Sequence, residues 1–340
     1  MPANGDQNPY GVAFVPDDIS PGGVLQPGDL LVSNFNNAKN VEGTGSTIVR
    51  FTPAGGKSVF FNGIPGQPTG LTTALGVLKS GFVLVGNVPT DANGVAQQGS
   101  LIVLDSSGKV VTQLTDSALL DGPWDLALND RGSTAQVFVS DVLSGTVTRI
   151  DLTIPKGGVP QVESETQIAS GYAHRPDPNV VVLGPTGLAF DPQRDVLYVA
   201  STLDNKVFAI PNAATSRHDH GTGRVVFDDP AHLHGPLGLV LLPNGDLVAA
   251  NGDAVNPDPN HPNELVEFRP RGDRAGRFVA QFQLNPGAAG AAFGVAVTTQ
   301  NGELRFAAVD DNTNAVDIWT FQLTPPFHQH KGHDHGHDDD

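Results

Sequence analysis

Residues Gly184 to Ile210 read GPTGLAFDPQRDVLYVASTLDNKVFAI, three short apolar runs separated by turn chemistry. Asp191-Pro192-Gln193-Arg194 breaks the first run from Val196–Ala200, and Leu203-Asp204-Asn205 breaks the second from Val207–Ile210. Proline cannot donate to a strand ladder, and Asp and Asn tolerate tight turns, so each break has a mechanism. Runs of four or five Val, Leu, Tyr and Phe residues between such breaks predict a three-stranded meander. One meander cannot bury both of its faces, so a chain built this way must repeat it.

The unit recurs. Related starts are Asn8-Pro9-Tyr10-Gly11-Val12, Gln67-Pro68-Thr69-Gly70-Leu71, Gly122-Pro123-Trp124-Asp125-Leu126, Gly235-Pro236-Leu237-Gly238-Leu239 and Ala292-Phe293-Gly294-Val295. Each leads to an apolar run ending in a small or polar residue: Asn34, Asn87, Asp141, Ser201, Asn251 and Asp310. A third run follows in every copy, from TIVRF at Phe51 to AVDIW at Trp319. The period is about 50 to 60 residues, in the upper part of the range for propeller blades.

The pattern P-x-G-[LV]-A-[FL], then L-[YFV]-V, then N-x-V-x-x-[IF] resembles the NHL repeat of six-bladed propellers over residues 8 to 321. The resemblance implies an all-β fold: a six-bladed β-propeller of four-stranded antiparallel blades. Thr324-Pro325-Pro326 stops a fourth strand after Phe321, which leaves the last blade three-stranded, and residues 1 to 8 are poor strand formers to complete it. The ring then either closes weakly or has lost a closing strand. The expected organisation is an N-terminal segment 1–9, one propeller domain 10–323, and a His- and Asp-rich tail 324–340. Propellers of this look include non-enzymatic scaffolds, the lyase half of peptide-amidating enzymes, strictosidine-synthase-like proteins and regucalcin-like lactonases. Fold alone does not choose among them.

Composition narrows the classes. Formal net charge is −17, with 19 basic residues scattered along the chain, which argues against nucleic acid as a partner. No run of 18 apolar residues offers a membrane span. The chain has no cysteine, so disulfides, thiolate metal sites and cysteine nucleophiles are excluded. No Walker loop or dinucleotide fingerprint follows a strand, so no nucleotide cofactor is expected. The abrupt start MPANGDQNPYG is read as a chain whose export signal was removed, hence a secreted or periplasmic protein.

Strands alternate direction within a blade, so loops entering a blade and loops joining its second and third strands share one face, here called the top. The long connections 34–46, 87–99, 170–183, 228–235 and 251–263 fall there. Long loops gathered on one face point to function at that face. The same logic puts Asn34, Asn87, Asp141, Ser201, Asn251 and Asp310 around the channel mouth, with Trp124 beside them. Converging oxygens suit a hard cation such as calcium, or ordered water. The regucalcin-like resemblance implies Glu, Asn and Asp ligands at comparable positions, yet no glutamate occupies this ring.

His174, His232, His234 and His261 also belong to the top face and form a candidate zinc or copper set. The tail histidines His333, His335 and His337 are a separate weak candidate. The leading expectation is a binding or scaffold protein that engages a small molecule or protein partner through the top loops and channel mouth. The rival is a metal-dependent hydrolase or lyase, lactonase-like or amidating-lyase-like, with a divalent cation in the channel.

Overall fold

A computed structural model describes residues 2–116, 118–271, 276–300 and 302–323. The chain is a six-bladed β-propeller. Blade one holds β1 (Gln7–Phe14), β2 (Leu30–Asn36), β3 (Thr47–Phe51) and β4 (Lys57–Asn62). Blade two holds β5 (Leu71–Val77), β6 (Val83–Asn87), β7 (Ser100–Leu104) and β8 (Val110–Leu114). Blade three holds β9 (Pro123–Asp130), β10 (Thr134–Asp141), β11 (Thr146–Thr153) and β12 (Gln161–Ala169).

A hairpin, β13 (Arg175–Asp177) and β14 (Val181–Leu183), interrupts the connection to blade four. That blade holds β15 (Pro185–Asp191), β16 (Val196–Ser201), β17 (Lys206–Pro211) and β18 (Arg224–Phe227). Blade five holds β19 (Pro236–Leu241), β20 (Leu247–Asn251), β21 (Glu264–Arg269) and β22 (Arg277–Gln283). Blade six holds β23 (Ala292–Gln300), β24 (Glu303–Asp310) and β25 (Ala315–Gln322). Every blade is an antiparallel meander, five four-stranded and the last three-stranded. Among the described residues there is no helix, and none long and apolar enough to cross a membrane.

The central strands read as unbroken apolar runs because neighbouring blades cover both faces. All five residues of β6 (VLVGN) and of β20 (LVAAN) are buried. The core is divided accordingly into clusters between successive blades. Leu31, Leu71 and Val85 join blades one and two, while Ala200, Phe227 and Phe268 join four and five. Phe227 and Phe268 stack with ring centroids 4.1 Å apart. Burying a side chain of this size stabilises by about 1.5–3 kcal/mol.

Among the described residues, blade six meets blade one without exchanging a strand. β23 packs along β1, and Asn8 N–H donates to Asn314 Oδ1 at 3.0 Å. Arg305 Nη1 donates to the Gly28 carbonyl at 2.8 Å, its guanidinium 4.9 Å from the centre of the Phe14 ring. Gln7 and Asn8 belong to β1, although the sequence counts them among poor strand formers. Side chains and inner-strand packing thus close the ring.

Candidate functional site

Five of the six inner strands share one irregularity, a single extra residue, and β5 carries a wider one. In blade one Pro9 pairs with Asn34 and Val12 with Val32, so Tyr10 and Gly11 together face the single residue Ser33. The same bulge places Thr186 and Gly187 in β15, Leu237 and Gly238 in β19, and Phe293 and Gly294 in β23. In β9 the shift falls between Asp125, opposite Ser140, and Pro123, opposite Asp141, which leaves Trp124 as the extra residue. A bulge of this kind re-aims a side chain.

Here it helps build an apolar plug. Tyr10, Trp124 and Leu237 meet Phe35, Val88, Val142 and Val182, with Phe293 against them. Tyr10 and Phe35 stack at 4.8 Å, and Trp124 stands edge-on to Phe35 at 5.4 Å. Val182 reaches the plug from the β13–β14 hairpin, where Val181 takes φ 65°, a conformation that β-branched residues rarely adopt. Trp124, 1% exposed, is therefore buried in the floor of the top face rather than open at its surface. Beside the plug, Glu42 is pushed up to about 7 by burial, with the Asp311 and Asp177 charges adding to it. Asp311 is itself pushed up to about 6, by burial first and then by Asp310.

Below the plug the six inner strands enclose a cavity of about 370 Å³. Its walls include Leu75, Leu126, Leu188, Leu239 and Val295, and Asp125 is the one ionisable side chain among its described lining residues. Asp125 Oδ1 accepts the Leu126 N–H at 2.8 Å, and Oδ2 accepts the Leu188 N–H of blade four at 3.1 Å. These bonds favour the carboxylate, but burial outweighs them and pushes Asp125 up to about 7. A carboxyl at that value exchanges a proton near neutral pH.

Asp125 stands where four other blades carry Gly11, Gly187, Gly238 and Gly294. Glycine is required at Gly187, Gly238 and Gly294 because a Cβ there would lie 2.1–2.2 Å from a carbonyl oxygen of the following blade. Sequence reasoning passed over Asp125. The signal was present as the one Asp at the glycine position of the P-x-G motif.

The six strand-end residues expected to converge on the channel are placed differently. All are buried, at 7% exposure or less. Asn34 Nδ2 donates to Thr47 Oγ1, and Ser201 Oγ donates to Asp204 Oδ2. Asn87, Asp141 and Asn251 accept the N–H groups of Gly70, Asp121 and His234 from the loop entering their own blade. Asp310 Oδ2 accepts from Asn285 and Thr313. These bonds staple loops to strands within blades, and none of the six lines the cavity.

The top-face histidines also take separate partners. His174 Nδ1 lies 3.0 Å from the Tyr172 carbonyl, and His234 Nδ1 bonds the Asn256 carbonyl. His232 Nδ1 lies 2.8 Å from Asp229, its ring stacked on Phe278. His261 Nδ1 lies 2.9 Å from Asp258. Among the described residues no three His, Cys, Asp or Glu side chains come together as metal ligands. The expected histidine quartet is therefore not assembled. His333, His335 and His337 lie outside the described residues.

No protein-family profile matches the chain, so the NHL resemblance rests on its repeat motif alone. No curated protein matches it in sequence. Solved structures match its fold. A gluconolactonase from Xanthomonas campestris is 14% identical at a TM-score of 0.54, over 94% of this chain and 87% of that one. A calcium-binding regucalcin from Agrobacterium tumefaciens is 15% identical at 0.52, over 91% and 85%. A chain of the mitotic checkpoint complex is 10% identical at 0.54, over 96% and 94%. A catalyst and a checkpoint assembly on one scaffold leave function to the site.

Proposed function

We propose that the central cavity is the active site of a hydrolase for compact, uncharged cyclic esters, with Asp125 as general base. The observation that carries this reading is the Asp125 carboxyl, pushed up to about 7 as the one ionisable side chain among the described residues lining the cavity. A concave pocket that holds an ionisable group of perturbed acidity is where binding and catalysis are first sought.

In the proposed reaction Asp125 takes a proton from water as the water oxygen attacks the ester carbonyl carbon. The ring C–O bond breaks, and the departing alkoxide recovers that proton to give a hydroxy acid. The two N–H donors on Asp125 fix the carboxylate so that one orientation faces the cavity. The carboxylate product is repelled by Asp125 and by a chain of net charge −17, which favours release. General-base assistance supplies roughly 10²–10⁴ in rate. The likeness in fold to a gluconolactonase supports putting lactones first among substrates.

The test is a panel of neutral five- and six-membered lactones followed by acid release. Wild-type turnover reduced about 100-fold or more in Asp125→Asn is the expected outcome. No turnover of any lactone, or undiminished turnover in the variant, overturns the proposal.

A second reading is a binding protein engaging its partner from the top. The charges of Asp311 and Asp177, which act on Glu42 beside the plug, favour it, because an acidic cluster there would draw a cationic group to that face.

A further inference from the structure

On the face opposite the plug, a pocket of about 780 Å³ opens between blades two and three. Its rim carries Lys79 from the β5–β6 turn, Arg131 from the β9–β10 turn and Lys156 from the β11–β12 turn. Three cations at one opening are unusual in a chain with 19 basic residues against 36 acidic ones. Arg131 and Lys156 are exposed and have no ion-pair partner among the described residues. Lys79 holds Asp18 at 2.7 Å, with both side chains well exposed, so this pair is weak and easily exchanged. The neighbouring Asp130 is occupied, accepting the Lys79 and Gly132 N–H groups. Phe82 and Ile154 add an apolar wall.

We propose that this pocket binds a small organic anion, a phosphate monoester or a carboxylate, attached to an apolar body. Arg131 supplies the planar fork that matches either head group, and Lys156 and Lys79 supply point charges. Phe82 and Ile154 cover the apolar part of the ligand. Asp18 competes with the ligand for Lys79. This site is separate from the Asp125 cavity and does not depend on the reading given to that cavity.

Calorimetric titration at low ionic strength with phenyl phosphate, inorganic phosphate and benzoate tests the proposal. Saturable binding of phenyl phosphate or benzoate is expected, and the tighter of the two identifies the head group. Tighter binding of phenyl phosphate than of inorganic phosphate assigns a role to the apolar wall. Arg131→Ala with Lys156→Ala weakens binding about tenfold or more, and Asp18→Asn tightens it. Both altered cations are exposed, so an unchanged melting temperature verifies the fold of the double variant. No saturable binding of any probe, or equal affinity in the double variant, overturns the proposal.

Discussion

Asp125 Oδ2 accepts the backbone N–H of Leu188 at 3.1 Å, so a carboxylate of blade three is tied to the inner strand of blade four. At three of the corresponding contacts, Gly187, Gly238 and Gly294 lie under the next blade's carbonyl. One departure from the repeat thus links a junction between blades to the only ionisable group in the described wall of the cavity.

Trp124 is a structural plug residue, buried at 1% exposure against Tyr10 and Phe35. Trp124→Ala is expected to cost about 3–5 kcal/mol, and Trp124→Phe less. Urea unfolding measures both, and a cost under about 1 kcal/mol for the alanine variant contradicts the packing described.

Gly294 closes the ring. A Cβ at this position would lie 2.1 Å from the Tyr10 carbonyl, a backbone atom that moves only if blade one moves. Gly294→Ala should destabilise by about 2 kcal/mol or more. An unchanged unfolding midpoint would mean that blades one and six do not meet this closely.

Glu42 and Asp311 predict a pH dependence of stability. Both folded values are raised, Glu42 from 4.5 to about 7 and Asp311 from 3.8 to about 6. A raised value means that the folded state holds its protons more tightly than the unfolded chain. Their contribution is therefore complete below about pH 4 and is lost as pH rises through 6 to 7. Glu42→Gln should flatten that part of the curve, measured as the unfolding midpoint at intervals from about pH 4 to 8. An unaltered slope counts against the coupling.

The blades were legible because each strand needs a turn and each turn left Pro, Gly, Asn or Asp in the sequence. Asn87, Asp141, Ser201, Asn251 and Asp310 end their strands where the sequence reading puts them, since a polar residue ends each apolar run, whereas β2 runs two residues past Asn34 to Asn36. Their bonding was not legible. Whether Asn251 faces the axis or the His234 N–H depends on the path of a loop that no local pattern specifies. Blade two shows the same limit: motif matching picks Gly70, but three residues, Thr72, Thr73 and Ala74, face Gly86, and the register puts Ala74 at the glycine position. The plug was hidden because it draws single residues from several blades and a hairpin. The basic pocket was hidden because Lys79, Arg131 and Lys156 are scattered in sequence and meet only across two blades.

The most direct test of the Asp125 assignment is the pH profile of kcat/KM for the best lactone, compared with Asp125→Asn. A base must be ionised to act, so activity should rise with pH through a single ionisation near 7 and then level off. That step should be absent from the residual activity of the variant. A profile that is flat through neutrality, or one that survives unchanged in Asp125→Asn, would contradict Asp125 as the base.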